Sequence, residues 1–102
     1  MELPLQITYR KVHPSEALSR LIRKESEKLD RFFARITSCR VIVEREAGRT
    51  KEAAPFHVRV DLGVPGSELM TDTMEKNSRV AVRDAFRRAR RRLREYAARL
   101  VA

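Results

Sequence analysis

Apolar and polar residues alternate through "LQITYR", with Leu5, Ile7 and Tyr9 on one side and Gln6, Thr8 and Arg10 on the other. That is the period of a strand with one buried face. The period then changes. In "HPSEALSRLIRKESEKLDRFF", Pro14 and Ser15 give a helix start, and Leu18, Leu21, Ile22, Leu29, Phe32 and Phe33 share one helical face. Glu25 falls inside that apolar arc, which predicts a helix that meets its partner off-centre and leaves Glu25 at the edge. The strand period returns in "SCRVIVERE", where Cys39, Val41 and Val43 oppose Arg40, Ile42 and Glu44, and again in "FHVRVDLGV", where Phe56, Val58, Val60 and Leu62 oppose His57, Arg59 and Asp61. Between them "AGRTKEAAP" reads as a loop. Pro65-Gly66 suits the two central positions of a type II turn, since proline presets one φ and glycine accepts the positive one. "SELMTDTM" is then a fourth strand, and a second helix runs from about Ser78.

The order is β-α-β-β-β-α, an α+β fold in which a right-handed first crossover and two hairpins let both helices lie on one face of a four-stranded sheet. Its length of 102 residues suits one domain with one core, residues 1–102, and the sequence has no linker, repeat or low-complexity segment. No run reaches the roughly 18 apolar residues of a membrane span. The start, "MELPLQITYRK", lacks the apolar region of a signal peptide, and the single cysteine cannot form an internal disulfide, so the expected location is the cytoplasm.

Charge changes the picture more than composition does. The formal net charge is +9, and residues 77–102 hold nine arginines against Asp84 and Glu95, leaving 14 basic and 12 acidic groups in the rest of the chain. Such concentration favours a polyanion, nucleic acid first and an acidic membrane surface next, although a merely soluble arginine-rich helix has the same composition. Helical geometry divides the stretch. At about 100° per residue, Val82, Phe86, Ala89, Leu93, Tyr96, Ala97 and Leu100 point towards the core. One flank mixes Asp84, Arg88, Arg92, Glu95 and Arg99, with Asp84–Arg88 and Glu95–Arg99 at pairing distance in sequence. The other gathers Arg83, Arg87, Arg90, Arg91 and Arg94 with no acid between them, although Arg91 can also reach Glu95. Five like charges on one face repel, and a phosphate polyanion reverses that cost. Guanidinium forks fit phosphate oxygens well, and this helix has arginine throughout and no lysine.

The first helix carries Arg20, Lys24, Lys28 and Arg31 along one side beside Glu16, Glu27 and Asp30, a pattern closer to an ordinary solvated face. Arg45, Arg49 and Lys51 add basic groups around the loop of "AGRTKEAAP". Tyr9, Phe32, Phe33, Phe56, Phe86 and Tyr96 all fall on predicted inward faces, which leaves no ring to stack on splayed bases and points to backbone and shape recognition of folded RNA. Enzyme chemistry lacks its residues. His13 and His57 stand apart with no second cysteine for a metal, Cys39 lies on an inward face, and no phosphate loop, nucleophile elbow or HExxH is present. Asp61, Asp72 and Asp84 read as solvated ions. The expectation is a binding protein without cofactor, metal or small-molecule substrate.

Four segments in one order, "LQITYRKV…SEAL", "KLDRFFARITSCRVIVE", "HVRVDLGVPGSEL" and "VAVRDAFRRARRRL", resemble the ribosome hibernation-promoting factor and ribosome-associated inhibitor A family over nearly the whole chain. The resemblance implies the same β-α-β-β-β-α fold, similar to a double-stranded RNA-binding domain. It also implies binding to ribosomal RNA of the small ribosomal subunit, in the channel used by messenger RNA and by the A-site and P-site transfer RNAs, with translation inhibited by steric exclusion. Carried over by position, Arg79, Arg83, Arg87, Arg90, Arg91 and Arg94 look like the family's basic surface, as do Lys28 and Arg31 in "KLDR". With its end at Ala102 the chain resembles the short form. Two rival readings are a generic structured-RNA binder and a protein-interaction regulator of transcription, which echoes the family's older label as a modulator of an alternative sigma factor.

Overall fold

The computed structural model describes residues 4–45 and 54–101, with the side chain of Val101 left aside. Six elements follow in the expected order: β1 (Leu5–Arg10), α1 (Glu16–Phe32), β2 (Ser38–Arg45), β3 (Phe56–Val64), β4 (Ser67–Glu75) and α2 (Ser78–Val101). The sheet order is β1-β2-β3-β4. β1 runs parallel to β2 because α1 carries the chain back between them, while the β2–β3 and β3–β4 pairs are antiparallel. Arg49 and Lys51, expected in the β2–β3 loop, lie outside the described residues.

The alternation holds in the sheet, with the inward residues of β2 and most of those of β3 buried and Leu5, Ile7, Tyr9 and Phe56 half-buried at its margin. Val41, Val43, Val58, Val60 and Leu62 form one cluster with Leu18, Leu21, Ile22 and Leu29 of α1 and Val82, Phe86 and Leu93 of α2. Both helices therefore cover the same sheet face, and burial of each large side chain there contributes about 1.5–3 kcal/mol. The Ser15 hydroxyl caps α1 by accepting from the Leu18 amide at 3.1 Å, and Glu16 favours the positive end of that helix. The β3–β4 turn places Gly66 at φ 75°, as its sequence requires. Gly63 has a different reason to be glycine: a Cβ there would lie 2.4 Å from Ser38 Oγ and 2.8 Å from Thr37 Oγ1, where the chain enters β2.

α2 sits close to the sheet. Ala81, Ala85 and Ala89, spaced four apart, are fully buried and keep the helix surface low. Thr73 Oγ1 donates to the Ala81 carbonyl at 2.8 Å, and Thr71 Oγ1 reaches the Ala85 carbonyl at 3.3 Å. At the helix start Asn77 Oδ1 accepts from the Arg79 and Val80 amides at 2.9 and 3.1 Å. Near its other end Tyr96 donates to the Pro65 carbonyl at 2.5 Å, and its ring meets Phe33 edge to face.

Two expected core positions are not in the core. Leu100 is 50% exposed, because the last turn of α2 runs past its cover. Phe32 is 39% exposed at the final residue of α1. The helical arc puts it on the apolar side, but the chain turns away one residue later, and Phe33 takes the contact with Tyr96 instead.

Candidate nucleic-acid interface

The outer surface of α2 splits into two flanks, and each acid joins an arginine of the all-arginine flank, Glu95 by the alternative its spacing left open and Asp84 against its expected pairing. Asp84 pairs with Arg87 at 2.9 Å rather than with Arg88, and Glu95 pairs with Arg91 at 3.6 Å rather than with Arg99. Arg88 is drawn elsewhere. Its guanidinium donates to the Asp72 carbonyl at 3.0 Å, and Arg92 makes a longer contact of 3.5 Å to the Met70 carbonyl. Both carbonyls belong to β4, an outermost strand of the sheet, so these arginines occupy backbone acceptors that another strand would otherwise seek. Arg79, Arg83, Arg90 and Arg94 are exposed and have no ion-pair partner among the described residues.

Arg83, Arg87 and Arg90 line a groove between the helices with Lys28, Glu25, Leu29 and Phe86. Leu29 and Phe86 form its apolar floor. Glu25 reaches the edge as its position in the apolar arc implies: its side chain is only 18% exposed and holds Lys28 Nζ at 3.1 Å. One carboxylate therefore faces a groove rimmed by four cations, which attracts anions with one acceptor opposing them. Beyond the groove, the Arg90 guanidinium carbon stands 4.7 Å from the Phe32 ring centroid and that of Arg94 stands 6.0 Å from it. This cation–π pairing is the arrangement that the helical arc of Phe32 concealed.

Of the eight basic residues expected to meet RNA, the structure thus gathers Lys28, Arg83, Arg87 and Arg90 in one groove and adds Arg94 through Phe32. Arg79 is exposed one turn before Arg83. Arg91 turns towards Glu95, Arg88 and Arg92 on the flank nearer β4. Arg31 is exposed in the last turn of α1, and no contact joins it to the α2 arginines among the described residues.

The sheet face away from the helices is charged in another way. Its outward residues stand in register as Arg10 opposite Glu44, Arg40 opposite Asp61, and Arg59 opposite Asp72. Asp61 is not the solvated ion its sequence position suggests. It is 4% exposed and accepts from Arg59 Nε at 3.0 Å, a hydrogen bond that raises the guanidinium pKa above its ordinary value. His57 Nε2 lies 3.3 Å from Asp72 Oδ2. Cys39 is 1% exposed, and burial, with a smaller contribution from the Asp61 charge, pushes its thiol up from 9.0 to about 12. A protonated, enclosed sulfur is a poor nucleophile. Among the described residues no group of three or more His, Cys, Asp or Glu side chains forms a metal site. No described helix is long and apolar enough to cross a membrane.

The fold has solved counterparts. A ribosomal subunit interface protein from Coxiella burnetii superposes with a TM-score of 0.81 at 20% identity, covering 94% of this chain and 99% of that one. The N-terminal domain of Protein Y from Thermus thermophilus gives 0.75 at 16% identity, with 94% and 99% covered. No curated protein matches the sequence. The sequence pattern of the family described as Sigma 54 modulation protein / S30EA ribosomal protein matches residues 5–101, nearly the full length described above, and the chain belongs to that family.

Proposed function

We propose that the chain is a non-enzymatic, cytoplasmic ribosome-binding protein that holds idle small subunits inactive. Its helix side enters the channel used by messenger RNA and transfer RNA, and its bulk excludes both. The observation that carries this reading is the row of arginines without an ion-pair partner among the described residues, Arg79, Arg83, Arg90 and Arg94, at and beside the Lys28 groove. Such a row is electrostatically costly alone and favourable against phosphate, and a rigid helix presents it without a backbone ordering cost at binding. Family membership and the printed name of the Coxiella neighbour, a ribosomal subunit interface protein, support a ribosomal partner. In this reading Arg79, Arg83, Arg87, Arg90, Arg91, Arg94, Lys28 and Arg31 face ribosomal RNA, and residues 1–102 act as one domain without a cofactor.

The test is sedimentation of the purified protein with 30S and 50S subunits, paired with in vitro translation. Co-sedimentation with 30S alone, displacement by messenger and transfer RNA, and translation falling in step with occupancy are expected. Equal affinity for ribosomes and bulk structured RNA would leave only a generic RNA binder. Co-purification with RNA polymerase in place of ribosomes would favour the sigma-factor half of the family's description.

A further inference from the structure

Phe32 is the last residue of α1, 39% exposed, and two guanidiniums from α2 converge on its ring at 4.7 and 6.0 Å. A single arginine laid over an exposed ring is an ordinary way to cover apolar surface. That account explains Arg90 alone. It leaves Arg94, set one helical turn further on and 6.0 Å from the ring, as a second cation beside it, with no carboxylate paired to either among the described residues. The cluster also adjoins the groove where Lys28, Arg83 and Arg87 meet Arg90. A ligand that is flat and π-rich, with anionic groups attached, suits all of these features together. It stacks on the guanidinium plane and on the open part of the ring, and its charge offsets the repulsion between Arg90 and Arg94.

We propose that Phe32 and Arg90 form a stacking platform for one unpaired nucleobase, with Arg94 and the Lys28 groove holding the flanking phosphates. The assignment rests on the RNA-facing reading of this groove and adds a base contact to it. The base must be unpaired because one inside a helix has both faces covered by its neighbours and offers only its edges. Loops, bulges and strand ends expose a face. Stacking on a ring and guanidinium is tolerant of sequence, so the platform selects an extruded nucleotide and does not read its identity.

The experiment uses the whole protein and three hairpin RNAs of equal stem length, one fully paired, one with a single bulged adenosine, and one with an abasic residue at the bulge. Anisotropy at fixed salt is expected to show the adenosine bulge bound about tenfold more tightly than the abasic bulge. Phe32→Leu keeps apolar bulk at an exposed position but removes the π face, and should bring that ratio to within about twofold. Its affinity for the fully paired hairpin and its salt dependence should stay unchanged. Phe32→Tyr should restore the ratio, which a merely structural loss would not allow. Equal binding of adenosine and abasic bulges by the unaltered protein, or a preference that survives Phe32→Leu, overturns the platform. Absence of the preference in the unaltered protein, with its 30S co-sedimentation intact, overturns the platform alone. A preserved preference without 30S binding overturns the ribosomal reading and leaves the platform standing.

Discussion

Two exposed surfaces of this protein carry arginine, and they differ in where the acids stand. On the open sheet face each of Arg10, Arg40 and Arg59 has a carboxylate as its cross-strand neighbour and Arg59 holds Asp61 at 3.0 Å, so acids are interspersed among the cations. On α2, Asp84 and Glu95 engage Arg87 and Arg91, and the β4 carbonyls engage Arg88 and Arg92, leaving Arg79, Arg83, Arg90 and Arg94, with Arg99 on the opposite flank, without an acid among the described residues. Arginine count alone would not separate the faces. The placement of carboxylates and backbone acceptors does, because a pre-neutralised guanidinium releases little counterion on meeting a phosphate, and an unpaired one releases its full share.

The sharpest way to break this contrast is charge reversal on one face against neutralisation on the other. Arg83→Glu with Arg90→Glu should weaken 30S binding by about a hundredfold or more while circular dichroism stays unchanged. Arg40→Ala with Arg59→Ala should do the opposite, keeping binding and lowering the urea midpoint, since Asp61 loses the partner that satisfies its buried carboxylate. Equal loss of binding in both double mutants would erase the distinction. A milder pair, Arg83→Ala with Arg90→Ala, should flatten the log–log salt dependence of binding by about 1.5 to 2, against no change for the sheet pair.

Glu25 offers a test in the favourable direction. Glu25→Gln removes the one carboxylate at the groove and frees Lys28, so binding should tighten by about threefold to tenfold at low salt, with the gain shrinking as salt rises. Smallest of all is the expected effect of Cys39→Ala on binding, which is none. Stability should fall by about 1 kcal/mol from lost packing. Because burial raises the thiol pKa from 9.0 to about 12, that group's contribution is fully present below pH 9 and is lost as pH rises towards about 12. Urea titrations of both proteins across that window should converge and then cross as the pH rises, because a linkage of about 1.4 kcal/mol per pH unit outgrows the packing loss, and native alkylation of Cys39 should be slow.

Strand alternation and helical period made the element order legible, since a side chain on the wrong face of a four-stranded sheet has nowhere to hide. Helix ends were harder. Phe32 and Leu100 lie on the right arc, yet an arc says nothing about whether sheet or neighbouring helix extends far enough to cover it. The arginine pairings were also beyond spacing alone. Asp84–Arg88 is a sound helical pair until a β4 carbonyl competes for Arg88, and that carbonyl comes from a strand whose position only the tertiary fold supplies. Asp61 shows the same limit: its alternation is outward, but Arg59 packs over it and shuts out water. The site was legible to the level of a basic flank, and the groove and the ring beside it required both helices in place.

The alanines at 81, 85 and 89 act as a keel for everything the helix displays. Because Thr71 and Thr73 reach up to the helix carbonyls between them, α2 cannot roll about its own axis without surrendering those bonds. Its outward residues therefore behave like teeth on a fixed rack, each with an assigned azimuth and height. Enlarging Ala85 to leucine would lift the rack and shift every arginine together, even though no arginine had been altered. Exchanging one exposed side chain for another would instead leave the spacing of the rest untouched. A surface built this way can be retuned tooth by tooth while its pitch is kept by three methyl groups that never meet solvent.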